Sequence, residues 1–159
     1  MWLKLGFTLG LLLTCSIGFT DDKKGVEALT PELRDLLKKE MRAIEAAMKT
    51  MVSVYAAGDY TTIEQMASKI ENSFILKQNL TQQQMHQLHT LLPDDFLQQD
   101  QRFHYYAGML QHVAANKKSE LVAFYYGKLI ESCGNCHQVH AKHQFPLFNQ
   151  SVEETLHGH

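Results

Sequence analysis

Proline, cysteine and tryptophan are scarce in this 159-residue chain, at three, three and one. With so few prolines and few long β-branched runs, little interrupts helix formation, and sheet is disfavoured. An excess of one charge is missing too. The formal net charge of −2 provides no basic field for nucleic acid. No apolar run is long enough to span a bilayer; the longest, Leu5–Leu13, is about half of what a membrane helix needs. Three cysteines cannot supply the two Cys pairs of a common zinc site. Repeats and low-complexity runs are absent. So are a nucleophile constellation and a second cofactor motif, so an enzyme is not expected. What remains is 45% hydrophobic and 20% charged, enough to bury a core in one domain.

Residues 1–20 have the layout of a secretory signal peptide. Lys4 precedes the short apolar run, and Ser16-Ile17-Gly18 or Gly18-Phe19-Thr20 offers a small-x-small cleavage site. A lipoprotein signal with Cys15 as the lipidated residue is the alternative, although Thr14 is large for that position. Residues 21–29 read as a disordered polar lead, and 147–159 as a tail without period that holds His157 and His159. The domain is expected over 30–146, exported to the periplasm and without a membrane span.

The most informative stretch is Cys133-Gly134-Asn135-Cys136-His137. Two thiols three positions apart and an imidazole directly after them form the attachment pattern of a c-type haem. The thiols add to the two vinyl groups as thioethers, and the next residue becomes the proximal iron ligand. A redox disulfide would need a strand-to-helix junction, but the surrounding sequence reads as helix. The expected cofactor is one covalent haem c, held by Cys133 and Cys136 and ligated by His137.

Apolar spacing predicts an all-α fold, a four-helix up-down-up-down bundle with the haem on its last helix. The first helix opens at Thr30-Pro31, carries Leu33, Leu37, Met41, Ile44, Met48, Met51 or Val52 and Tyr55 as one stripe, and ends at Gly58. The second runs from Tyr60 to Gln78. A capping box, Thr81 to Gln84, opens a short helix that Pro93 stops. The third long helix spans Asp95 to Ala115. The last is capped by Ser119 and runs to Phe145-Pro146. His86 and His89 read as solvated, and His104 and His112 as hydrogen-bonded interfacial residues. His140 and His143 are placed either at the haem edge or in solvent.

In such a bundle the start of the first helix lies beside the end of the last. His137 is eight residues or fewer from that end, on the order of 8–12 Å, and Met41 is about 15 Å into the first helix. Only Met41 lies at a comparable depth, so its thioether is the expected distal ligand.

The Cys133–His137 motif in a fourth helix, together with Met41-x-x-Ile44-x-x-x-Met48 in the first, resembles class II cytochrome c, the family of cytochromes c′ and their six-coordinate low-spin relatives. The resemblance covers about Leu33 to Phe145. It implies a monohaem electron carrier with His137 and Met41 as axial ligands and periplasmic redox proteins as partners. In five-coordinate members a bulky apolar residue replaces the methionine and the iron binds nitric oxide or carbon monoxide; that is the alternative function. Leu37, where the family often has Arg, and His140-Ala141-Lys142 after the motif depart from its pattern. A homodimer would use exposed apolar residues of the first two helices.

Overall fold

The computed structural model describes residues 24–74 and 76–149. Among these the chain is all-α, with no strand. In order come a 3-10 turn at Val26–Ala28, α1 at Pro31–Ala56, α2 at Tyr60–Glu71, α3 at Leu76–Asn79, α4 at Gln82–Leu91, α5 at Asp94–Ala115, α6 at Ser119–His140 and a second 3-10 turn at Pro146–Asn149. No helix among the described residues is long and apolar enough to cross a membrane. The leader, Cys15, residues 21–23 and the tail beyond 149 lie outside the described residues.

Local chemistry explains most boundaries. Thr30 Oγ1 accepts the Leu33 N–H at 3.3 Å, with Pro31 at the first helical position of α1. Gly58 takes a left-handed φ of 72° to turn the chain. Asp59 caps α2 through the Thr62 N–H at 3.0 Å, and Thr81 and Gln84 cap α4 reciprocally.

Four boundaries differ from the sequence expectation. α2 stops at Glu71 rather than Gln78. Ser73 turns left-handed (φ 57°), and the Phe74 and Leu76 N–H groups donate to the Glu40 carboxylate at 2.9 and 3.3 Å. Glu40, 1% exposed, thus withdraws two backbone donors from the helical ladder. Ser119 does not cap α6; it is the first helical residue, and its hydroxyl meets the Tyr55 hydroxyl at 3.2 Å. α6 ends at His140 rather than Phe145, because Ala141 leaves helical geometry and its carbonyl accepts from Gln144 and Phe145. Residues 24–29, expected as a disordered lead, are tied down. The Gly25 N–H donates to Leu91 O at 2.8 Å, and Leu29 is buried against Leu33, Leu37, Leu88 and Leu92.

The interior has two parts. The larger joins Ile44, Met48 and Met51 of α1 to Ile63 and Ile70 of α2, Phe103 and Leu110 of α5, and Val122 and Leu129 of α6. The smaller joins the first turns of α1 to α4, with Phe96 and Leu97 of α5 against it. α5 packs closely on both α2 and α6, and α1 packs on α2. α1 and α6 lack such close backbone approach and are linked by long side chains.

Replacing Glu40 by Leu strands two N–H groups, each lost partner costing about 1–3 kcal/mol. Glu40→Leu is expected to lower stability by about 2–6 kcal/mol, read as a fall in urea midpoint at unchanged slope. A midpoint within error of the parent would show that the carboxylate does not hold this turn.

Candidate functional site

A helix repeats every 3.6 residues, so positions 133, 136, 137 and 140 share one side of α6. That side continues the buried row Val122, Leu129. Cys133, Cys136, His137 and His140 are all partly buried on it, and both cysteines are free thiols. The structure therefore brings together three of the four expected site residues on one helix.

Cys133 borders the larger core below Tyr126, whose hydroxyl donates to the Met48 carbonyl at 2.8 Å. Burial, and then the charge of Cys133, push the Tyr126 phenol up, so it stays a donor. Burial also pushes the Cys133 thiol up. The Cys136 thiol is pushed up to about 11, by burial first and then by the charges of Asp100, Cys133 and Asp95. Both are thiols rather than thiolates near neutral pH, which opposes a fast thiol–disulfide centre. Among the described residues no three His, Cys, Asp or Glu side chains gather as a metal cage.

His137 stacks on Phe145, with ring centroids 4.2 Å apart and planes 9° apart, and Phe148 meets Phe145 edge-on. Burial pushes the His137 imidazole down, toward the neutral form that can ligate a metal. The sequence pattern marks Phe145 only as a helix stop. The stack exists because α6 ends early and the following turn folds back; only the aromatic residue after the motif hinted at it. His140, whose side chain is 9% exposed, packs edge-on against Phe96 and sits 3.4 Å from Asp95 and 3.5 Å from the Gln99 amide nitrogen. The Gln99 amide oxygen is buried without a partner among the described residues; turning the amide over would let it accept from His140. His143 pairs with Glu27 at 3.3 Å across an open cleft of about 330 Å³, which places the segment before α1 beside the end of α6. His86, His89 and His112 are exposed.

Met41 lies on another helix. Its place follows from two contacts between α1 and α6. Tyr55 reaches Ser119, and Met48 O is reached by Tyr126. From the first contact to the second, α1 steps back seven residues and α6 steps forward seven, which is antiparallel register. Seven more bring Met41 level with Cys133. The Tyr55, Val52, Met48 flank of α1 is the one that faces α6, as the small cavity shared by Val52, Tyr55, Ala123 and Tyr126 also shows. Met41 continues this flank but is 40% exposed; the buried place expected for it is filled by its neighbour Glu40. Opposite, Ala123, Ile130 and His137 recur at seven-residue steps. Ile130 is 52% exposed, and a Cβ on Gly134 would meet no atom within 4 Å. Beside the motif, Met41 and Ile130 thus leave apolar surface exposed on the flanks of α1 and α6.

No protein-family model, curated protein or solved structure matches this chain.

His104 clamps α5 to the end of α2. Its Nδ1 donates to Ile70 O at 2.7 Å and its Nε2 lies 3.5 Å from Asp100. Burial pulls this imidazole down, but Asp100 and the Ile70 carbonyl outweigh it, and the net shift is upward. A raised folded value means that the protonated clamp stabilises the fold fully below the unfolded value and is lost as pH rises through the folded one. The stability that the His104–Asp100 pair contributes, read as the difference in urea unfolding between the parent and Asp100→Asn, is expected to shrink from pH 6 to 8, whatever the opposite trend from His137 adds to both proteins. An identical slope in the variant would contradict the clamp.

Proposed function

We propose that this chain is an exported monohaem c-type cytochrome that carries one electron between periplasmic redox proteins. In this reading α1, α2, α5 and α6 form the up-down-up-down bundle of a class II cytochrome c. The observation that carries it is the placement of Cys133, Cys136 and His137 on one half-buried side of α6, with Met41 and Ile130 exposed on the flanks of α1 and α6.

The residues fit the group. Attachment needs two thiols on one helix side, both free here. Iron within a porphyrin asks the protein for one or two axial donors, not a cage of three or four. The exposed apolar flanks at Met41, Ile130 and Gly134 leave room that a core position would not. When bound, the haem supplies ferric–ferrous chemistry. Cys133 and Cys136 would hold it, His137 would ligate the iron, and Phe145 stacks on that imidazole. Met41 would offer a thioether to the iron, a donor that raises the reduction potential relative to a second imidazole.

One observation favours a second reading. Met41 is not locked by packing, so its thioether is free to give way to nitric oxide or carbon monoxide. The protein would then bind gas.

The chain matured with haem in a bacterial periplasm is expected to be red, to keep its haem through denaturing electrophoresis, and to show a six-coordinate low-spin ferric spectrum. Met41→Ala should turn that spectrum high-spin and admit carbon monoxide stoichiometrically. Cys133→Ala with Cys136→Ala should abolish covalent haem. A high-spin parent indifferent to Met41→Ala would remove Met41 from the iron, and tight carbon monoxide binding by the parent would favour the gas reading.

A further inference from the structure

The face of α1 that carries Met41 is bordered by charge. α1 carries Arg34, Lys38 and Arg42 at four-residue intervals. By the register of α1 against α6, Arg34 is level with His140, a further seven residues along each helix from the Met41–Cys133 level, and Lys38 lies one turn short of it. Lys38 and Arg42 are exposed and Arg34 is half-buried. Four nearby acids are already engaged, and exposed Glu32 stands two residues before Arg34. Asp35 pairs with Lys39 at 2.7 Å, Glu45 with Lys49 at 2.6 Å, and, on α6, Glu131 with Lys128 at 2.7 Å. Glu40 is buried under the Phe74 and Leu76 amides. Among the described residues, Arg34, Lys38 and Arg42 form no ion pair. They project their charge: Lys39, and with it Arg42 and Lys38, hold the Asp35 carboxyl below the usual range. Lys142, exposed just past α6, adds to the same end. In a chain of net charge −2, three cations thus lie in a row beside Met41.

We infer that this face docks a redox protein whose own electron-transfer face is acidic, with Arg34, Lys38 and Arg42 steering it. The inference rests on the haem reading above. A second copy is disfavoured as the occupant, because it would oppose like charges. The transfer balances simply: ferrous iron loses one electron, the partner gains one, and no proton moves and no bond forms. Complementary charge acts mainly on encounter rate and is screened over about 10 Å at 0.1 M salt.

The test uses the reduced holoprotein in stopped flow with two oxidants, anionic ferricyanide and cationic tris(phenanthroline)cobalt(III). Lys38→Glu with Arg42→Glu is expected to slow ferricyanide about tenfold at low salt and to speed the cobalt complex, with both differences fading above about 0.5 M salt. Lys117→Glu with Lys118→Glu, the same charge change at the α5–α6 turn, should move either rate by no more than about twofold. Equal effects from the two pairs would mean that net charge alone matters, and would overturn the proposal. Titration with poly-L-glutamate, followed by amide shifts, should map to Arg34, Lys38, Met41 and Arg42 and reverse with salt; shifts elsewhere, or none, would overturn it. Salt-sensitive dimerisation lost in the Lys38, Arg42 variant would assign the face to a second copy and overturn it as well. A red protein with unchanged rates refutes the docking face alone. A protein without covalent haem refutes the haem reading, and the redox partner with it.

Discussion

Two tyrosine hydroxyls set the relation between the first and last long helices, and the site depends on that relation. Tyr55 and Tyr126 span a gap that aliphatic side chains would close, so α1 and α6 are held in antiparallel register without close backbone approach. Register brings Met41, remote in sequence, level with Cys133. Separation leaves Met41 and Ile130 exposed on the flanks of the two helices.

Around this seam the side chains divide the work. Burial keeps Cys133 and Cys136 protonated, and keeps His137 neutral with its lone pair available. The early end of α6 lets Phe145 fold back onto the imidazole, and Asp95 and Phe96 hold His140 one turn on. The buried carboxylate of Glu40 ends α2 and fixes the connection that carries α3 and α4 under the first turns of α1.

Much of this was legible in the sequence. The helix starts at Thr30, Asp59 and Thr81 and the turn at Gly58 follow from local hydrogen bonding that any copy of those residues repeats. The placement of Cys133, Cys136 and His137 on one helix side is equally local, three side chains within five residues. The apolar stripe of α1 was right at Leu33, Leu37, Ile44, Met48 and Met51. It failed at 40 and 41, where periodicity counted a methionine as core and passed over a carboxylate. Glu40 is buried because of amides more than thirty residues away, which no local pattern reports. Ser119 and Phe145 were misassigned for the same reason: their partners, Tyr55 and the His137 ring, become neighbours only after folding.

The central claim is that Cys133 and Cys136 exist to hold a haem. Intact mass under denaturing conditions, on protein produced with the haem-attachment machinery of a bacterial periplasm, tests it most directly. The account predicts the mature chain plus one haem. A bare chain two hydrogens light, with Cys133 joined to Cys136 as a disulfide, would contradict it.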